Sequence, residues 1–253
     1  AGNASVAVAR LGANSTIFSA VGCDEVGSFI LGKLKHENVN TEFVLELENW
    51  QSSFSSVLVD IDGDRQIVNY RKSLPENAIN SISNFPVYDA YLSDSRWSEA
   101  AIATLSLARK YKKPGILDAE APVSQHAVEI ASHVAFSMQG LRHFTNKDDL
   151  MASLKVIEND FNSWACVTDG PNGVYFLEEG VLRNLPAPRI KAEDTLGAGD
   201  VWHGAFAVCL AEGKSEREAI KFSNLAAAIK CTRFGGQSSI PTRGEINEFI
   251  NSK

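Results

Sequence analysis

Apolar residues along this chain fall into two rhythms, and the changes of rhythm mark its elements. Residues 4–11 (ASVAVARL) are helix-forming and apolar, with Gly12 placed to end the helix. Residues 15–21 (STIFSAV) mix β-branched and aromatic side chains and read as a strand. Phe29, Ile30 and Leu34 then recur at core spacing, which predicts a helix over 26–36. In 53–60 (SFSSVLVD) small polar and apolar residues alternate. Asp62-Gly63-Asp64 is a turn signal and 66–70 (QIVNY) returns, so the pattern predicts a β-hairpin over 53–70.

From residue 89 onward, short apolar runs alternate with helical periods. Strands are predicted at 89–93, 115–118, 133–137 and 164–168, and helices at 99–111, 124–131 and 147–161. A second hairpin, 174–177 with 181–185, turns at Glu178-Glu179-Gly180. Helices follow at 199–212, 215–232 and 243–250. This order predicts an α/β fold, a mainly parallel sheet flanked by helices on both faces. The 53–70 hairpin breaks the rhythm, so it is expected to project as a small β-sheet lid. No repeat or linker divides the chain, and 1–253 reads as a single domain.

Charge removes some functions. Against 31 Asp+Glu stand 24 Lys+Arg, a net −7 with no basic stripe, which argues against a nucleic-acid partner. The longest uncharged apolar run, 201–211, falls short of the roughly 20 residues of a membrane span. Cys23, Cys166, Cys209 and Cys231 are scattered without a CxxC pair. That pattern fits neither a zinc knuckle nor a disulfide framework, and favours a reduced, cytoplasmic setting. The chain opens on Ala1, inside a predicted helix, so a preceding segment is expected.

The candidate chemistry lies in 194–200, DTLGAGD. Gly197, Ala198 and Gly199 let a ligand approach the backbone closely, and a helix begins near Asp200. The first N–H groups of a helix have no internal acceptor and carry positive partial charge. They suit phosphate oxygens. A carboxylate at that helix mouth can take a proton from a nucleophilic hydroxyl. Read alone, GxGD is also an ordinary helix cap after a glycine loop.

The longer string resembles the signature DTxGAGD of the PfkB, or ribokinase-like, carbohydrate kinases. All six specified positions match: Asp194, Thr195, Gly197, Ala198, Gly199 and Asp200. Other segments are similar to that family in the same order. They are 3–12 (NASVAVARLG), 22–27 (GCDEVG), the TDGPNG loop with Thr168, Gly170 and Gly173, and NLAAAI with TRFGGQSSIP from Asn224 to Pro241. The resemblance implies a ribokinase-like fold and an ATP-dependent sugar kinase. Asp200 would be the catalytic base, and the amides of 196–199, with Gly197, Ala198 and Gly199, its anion hole. Thr168, Gly170, Gly173, Thr195, Asn224 and Gly236 would lie along ATP, which brings Mg²⁺. Asn3 would hold the sugar. Asp194, with the loop 235–239, would flank a monovalent cation such as K⁺. The hairpin would close as the lid and offer a homodimer interface. The family's Gly-Gly pair and first strand are expected before Ala1.

The chain departs from the family at NxxE, where Ser137 and Gly140 stand, as in ketohexokinase-like relatives. DSRW at 94–97, AFSMQGL and CTRFGGQSSIP look most like sulfofructose kinases, and Arg96 could grip an anionic sugar end or sit in a structural ion pair. A ketose accepting phosphate on its terminal CH₂OH is the first expectation. A nucleoside kinase of the same fold and a non-catalytic sugar- or nucleotide-binding regulator are the alternatives. Gly213-Lys214-Ser215 is no P-loop, because Val208 stands where the first glycine belongs. The histidines lack metal spacing, and His203 is expected to pack in its helix rather than line the site.

Overall fold

The computed structural model describes residues 1–60, 65–72, 74, 79 and 85–251. Its centre is a six-stranded sheet. The strands are β5 (Tyr91–Asp94), β6 (Gly115–Ala119), β7 (His133–Ser137), β8 (Trp164–Thr168), β9 (Val174–Glu178) and β10 (Val181–Leu185), in spatial order β10-β9-β8-β7-β6-β5. Strands β5 to β8 pair in parallel, and the β9–β10 hairpin adds an antiparallel edge. The mainly parallel sheet with helices on both faces expected from the pattern is the one observed.

Alternation of side chains explains the two covered faces. Leu117, Ala119, Val134, Phe136, Ala165 and Val167 point to one side. There they meet α3 (Ser98–Tyr111), α4 (Gln125–Ile130), α5 (Met138–Thr145) and α6 (Leu150–Phe161). Ile116, Ala135 and Cys166 point to the other side, against α7 (Ala198–Ala211) and α8 (Glu216–Cys231). Helix α7 is buried nearly all round, and its Trp202 and Phe206 rings stack at 4.9 Å. Local signals set where these helices begin. Asp149 and Ser124 accept first-turn amides, and Ser215 with Glu218 forms a capping box on α8.

A second body packs beside this sheet. It holds α1 (Gly2–Arg10), β1 (Ser15–Gly22), α2 (Glu25–His36), β2 (Val39–Leu47) and α9 (Arg243–Asn251). Strands β1 and β2 form their own two-stranded parallel sheet. Their core joins Val6, Leu11, Ile17 and Val39 to Val201, Ala205 and Ile229 of α7 and α8. The hairpin β3 (Phe54–Val59) with β4 (Arg65–Tyr70) stands as a separate antiparallel pair. Its predicted turn at 62–64 lies outside the described residues.

Two elements go beyond the sequence pattern, and one helix boundary shifts. Strand β2 was not anticipated, because Asn40, Glu42 and Glu46 interrupt its apolar run; pairing with β1 makes it a strand. The helix expected over 147–161 starts only after its Asp149 cap. Helix α5, capped by Ser137, fills the stretch before it.

Candidate active site

Two devices hold the loop 194–197. The Leu196 amide donates to Asp194 Oδ1 at 2.9 Å, and the Ala198 amide donates to the Thr195 carbonyl at 3.2 Å. Gly197 caps α7 in the left-handed region at φ 77°, which favours glycine. These bonds correct the expected anion hole. The amides of Leu196 and Ala198 are occupied. Those of Gly197, Gly199 and Asp200 have no internal acceptor among the described residues, and they stand together at the mouth of α7.

Asp200 sits in the first turn of α7, half-buried. Asn3 Nδ2 donates to its Oδ2 at 3.0 Å, and Gln237 Nε2 donates to Asn3 Oδ1 at 3.4 Å. Gly204 brings Asn3 there: a β-carbon at 204 would lie 2.7 Å from the Ala4 carbonyl, so only glycine lets α1 approach α7 so closely. An open pocket of about 460 Å³ lies over Asp200. It is lined by Gly2 and Asn3 on one side and by Ser53, Phe54, Ser55, Tyr70 and Arg71 of the hairpin on the other. Phe54 and Tyr70 stack at 5.5 Å on this hairpin.

The base of the hairpin is tied down by Asp24. Its carboxylate caps α2 through the Gly27 amide (2.7 Å) and also accepts from the Ser52 amide (2.8 Å) and hydroxyl (2.7 Å). Ser52 in turn accepts from the Gly22 amide at 2.8 Å. The Ser52 amide, then the Gly27 amide and the Ser52 hydroxyl, hold the Asp24 carboxyl below the usual carboxylate range. Gly22, Asp24 and Gly27 thus form a hydrogen-bonded knot with Ser52 at the base of the hairpin.

The expected nucleotide side is a run of loops at one end of the sheet. Thr168 ends β8 and donates to the Phe136 carbonyl at 3.3 Å. Gly170 is open, whereas a β-carbon at Gly173 would meet the Leu185 carbonyl at 2.1 Å. Gly173 is therefore fixed by its own chain's packing. Thr195 and Gly236 are exposed, as is Phe234 beside them. Asn224 is corrected. It is buried; its Oδ1 accepts from Trp202 Nε1 at 2.8 Å and its Nδ2 donates to the Leu185 carbonyl at 2.9 Å. Its side chain anchors the loop after β10 through the Leu185 and Pro186 carbonyls. Where the family carries NxxE, Ser137 caps α5 and a β-carbon at Gly140 would meet the Ala119 carbonyl at 2.1 Å. Packing leaves no room there for a glutamate.

Arg96 donates to Glu120 at 2.6 Å, so the ion-pair alternative is the one formed. His203 is buried and packs in α7 as expected, with Nε2 3.2 Å from Asp118 Oδ1. Burial pushes the Asp118 carboxyl up, against the pull of His203. Asp118 and Gln237 were missed by sequence reasoning, since nothing local marks either one.

The expected cation site is also corrected. Lys230, near the end of α8, is 1% exposed, and its Nζ donates to the Asp194 carbonyl at 2.9 Å. The same Nζ lies 3.4 Å from Asp194 Oδ2, which also accepts from the Gly235 amide at 3.4 Å. Burial opposes ionisation of Asp194, but the Leu196 amide, Lys230 and the Gly235 amide outweigh it and hold the carboxyl below its usual range. An ammonium thus stands against the oxygens offered to K⁺, and these residues do not fit an added monovalent cation. In sequence, Lys230 reads as an ordinary basic residue in the last turn of a helix. Among the described residues no group of three or more His, Cys, Asp or Glu could cage a metal. Mg²⁺ needs no such cage, because it binds chiefly through substrate phosphates and keeps several waters.

A mainly parallel sheet, a helix mouth whose amides lack internal acceptors among the described residues, and a carboxylate facing a β-hairpin thus meet at one pocket. The model of the pfkB family carbohydrate kinases matches residues 1–243, and the chain belongs to that family. A ribokinase of Bacillus subtilis is 27% identical over 256 residues, covering 98% of this chain and 86% of the relative. The crystal structure of a presumed ribokinase from Agrobacterium tumefaciens superposes with a TM-score of 0.88 at 34% identity, covering 100% of this chain and 85% of the other. A fructokinase from Vibrio cholerae O395, solved with fructose, ADP and calcium ion, superposes with a TM-score of 0.81 at 22% identity, covering 98% and 89%. The chain is a carbohydrate kinase, a phosphotransferase with an alcohol acceptor.

Proposed function

We propose that this kinase transfers the γ-phosphoryl group of ATP to a primary hydroxyl of a small sugar, with Asp200 as the general base. One observation carries the reading: Asp200 lies on the floor of the lidded pocket, beside the unpaired amides of Gly197 and Gly199. Asn3 holds Oδ2, which leaves Oδ1 to face the sugar hydroxyl. The hydroxyl proton passes to Asp200 as the oxygen bonds to the γ-phosphorus and the bond to the β–γ bridging oxygen breaks, releasing ADP. The amides of Gly197, Gly199 and Asp200 meet the negative charge of the transferring phosphoryl oxygens. Mg²⁺ bound with ATP would neutralise phosphate charge. The hairpin closes over the sugar and excludes water.

Within this class, a ketose with a terminal CH₂OH is the favoured acceptor, supported by the fructose in the Vibrio structure. A sulfofructose-like acceptor is the finer variant. Arg96 gives it little support, being held by Glu120, whereas Arg71 lines the pocket and has no ion pair among the described residues. Two further readings belong with the function. Exposed Leu58, Val59, Ile67 and Val68 on the hairpin support a lid-to-lid homodimer, which sedimentation would detect. The four free thiols support a cytoplasmic setting.

The test is ADP release with Mg-ATP against fructose, sulfofructose, tagatose, ribose, 2-keto-3-deoxygluconate and adenosine. Turnover with one sugar that Asp200→Asn abolishes is expected. Turnover with adenosine alone would favour the nucleoside kinase. Tight ATP binding without turnover on any acceptor would favour the regulator.

A further inference from the structure

We infer that Lys230 serves as a built-in monovalent cation that fixes the anion loop, so that this kinase works without K⁺. The inference rests on the phosphoryl-transfer reading of the loop.

Four observations support it. Lys230 is 1% exposed, and a buried ammonium is retained only where oxygens satisfy it. Those oxygens are the carbonyl and carboxylate of Asp194, at 2.9 and 3.4 Å. Asp194 is the residue from which the loop is hung: its Oδ1 takes the Leu196 amide, and its Oδ2 takes the Gly235 amide. The neighbouring Cys231 carbonyl faces the amides of Glu193 and Asp194, at 2.8 and 3.2 Å, so it is turned to the backbone rather than to an ion.

The consequence follows from charge and geometry. A cation between these oxygens fixes the Asp194 backbone and carboxylate, and through the Gly235 amide on Oδ2 it fixes the 235 loop, so it sets the direction of the amides at Gly197 and Gly199. An inorganic ion would do this only while bound. Lys230 does it from a side chain tethered to α8, at an effective concentration that no salt change alters. Its charge lies behind the loop, where it adds positive potential without touching the substrate. It is a positioning residue. A lysine and a K⁺ would compete for the same oxygens, and the tethered one prevails.

The test compares wild type, Lys230→Ala and Lys230→Met in potassium, sodium and choline chloride at equal ionic strength. Turnover and, separately, the melting temperature of the protein without nucleotide or sugar are read. Wild type is expected to give the same values in all three salts. K230A is expected to lose activity by about 100-fold in choline, the scale of a misplaced catalytic loop. Potassium, or methylammonium chloride added to K230A as a further salt, should restore part of that loss and raise the K230A melting temperature. K230M, whose side chain fills the space, should lose activity and not be rescued. K230A that folds only with potassium or methylammonium would be the same result in stronger form. Two results would overturn the inference: wild type that needs potassium for turnover or melts higher in it, or K230A that matches wild type in choline. Should K230A fold in no salt, the wild-type series alone decides. A chain without kinase activity still gives the melting series, so failure of the catalytic reading is distinguished from failure of this one.

Discussion

The loop 194–200 and the β3–β4 hairpin face each other across one pocket, and they are built in opposite ways. The loop is held at every step: by Leu196 on Asp194, by Ala198 on Thr195, by Lys230 behind it, and by a helix buried nearly all round. The hairpin is a two-stranded pair with Leu58, Val59, Ile67 and Val68 in solvent, tied to the body through Ser52 and Asp24. A two-stranded pair is marginal on its own. Charge that develops in a transition state needs donors already in place, and the loop supplies them. Under the proposed function the hairpin opens to admit sugar, so few contacts and one anchored base suit it.

Four predictions test this contrast, from the largest effect to the smallest. Asp200→Asn keeps the Asn3 neighbourhood but removes the proposed base; kcat should fall about 1,000-fold with little change in sugar affinity by calorimetry. Gly197→Val imposes a β-branched residue at φ 77°, beside Asn3, whose Nδ2 would lie 3.3 Å from the new β-carbon. It should cut kcat by about 100-fold while thermal melting shifts only slightly, because the strain is local to the loop.

Asp24→Ala breaks the lid anchor and leaves the loop untouched. The sugar KM should rise about ten-fold with kcat changed less, because lid closure is weakened while the base stays in place. If kcat and KM instead fall together with loss of fold, the knot is structural for the whole body and the contrast fails. The last effect is the dependence of the same knot on pH. The folded Asp24 carboxyl titrates below its unfolded value, so its contribution is present above about pH 4 and is lost as pH falls through the lower folded value. Protection of the Ser52 and Gly27 amides, relative to their intrinsic exchange rates at each pH, should therefore fall on acidification in wild type. In Asp24→Asn that acid step should be absent.

Much of this was legible in the chain. Every strand of the six-stranded sheet was readable, because short apolar runs bounded by turns leave few alternatives. The DTLGAGD string located the helix mouth, since glycines there have a local geometric reason. Where reading failed, the decisive partner was distant. Strand β2 became a strand by pairing with β1. Asn224 looked like a nucleotide contact until Trp202 and Leu185 were seen to occupy it. Gly173 and Gly140 looked like a ligand loop and a lost motif, and each proved to be pressed by a backbone carbonyl from another strand.

The sequence by itself determined the alternation of strands and helices, the caps that start them, and the chemical identity of the loop, because each depends on residues within a turn or two. Tertiary structure alone decided which amides of the loop stay free, that Asn3 reaches Asp200 from 197 residues away, and that Lys230 stands against Asp194. Those depend on how closely α1 and α8 pack on α7. Such close packing is a property of interlocking surfaces and not of any one segment.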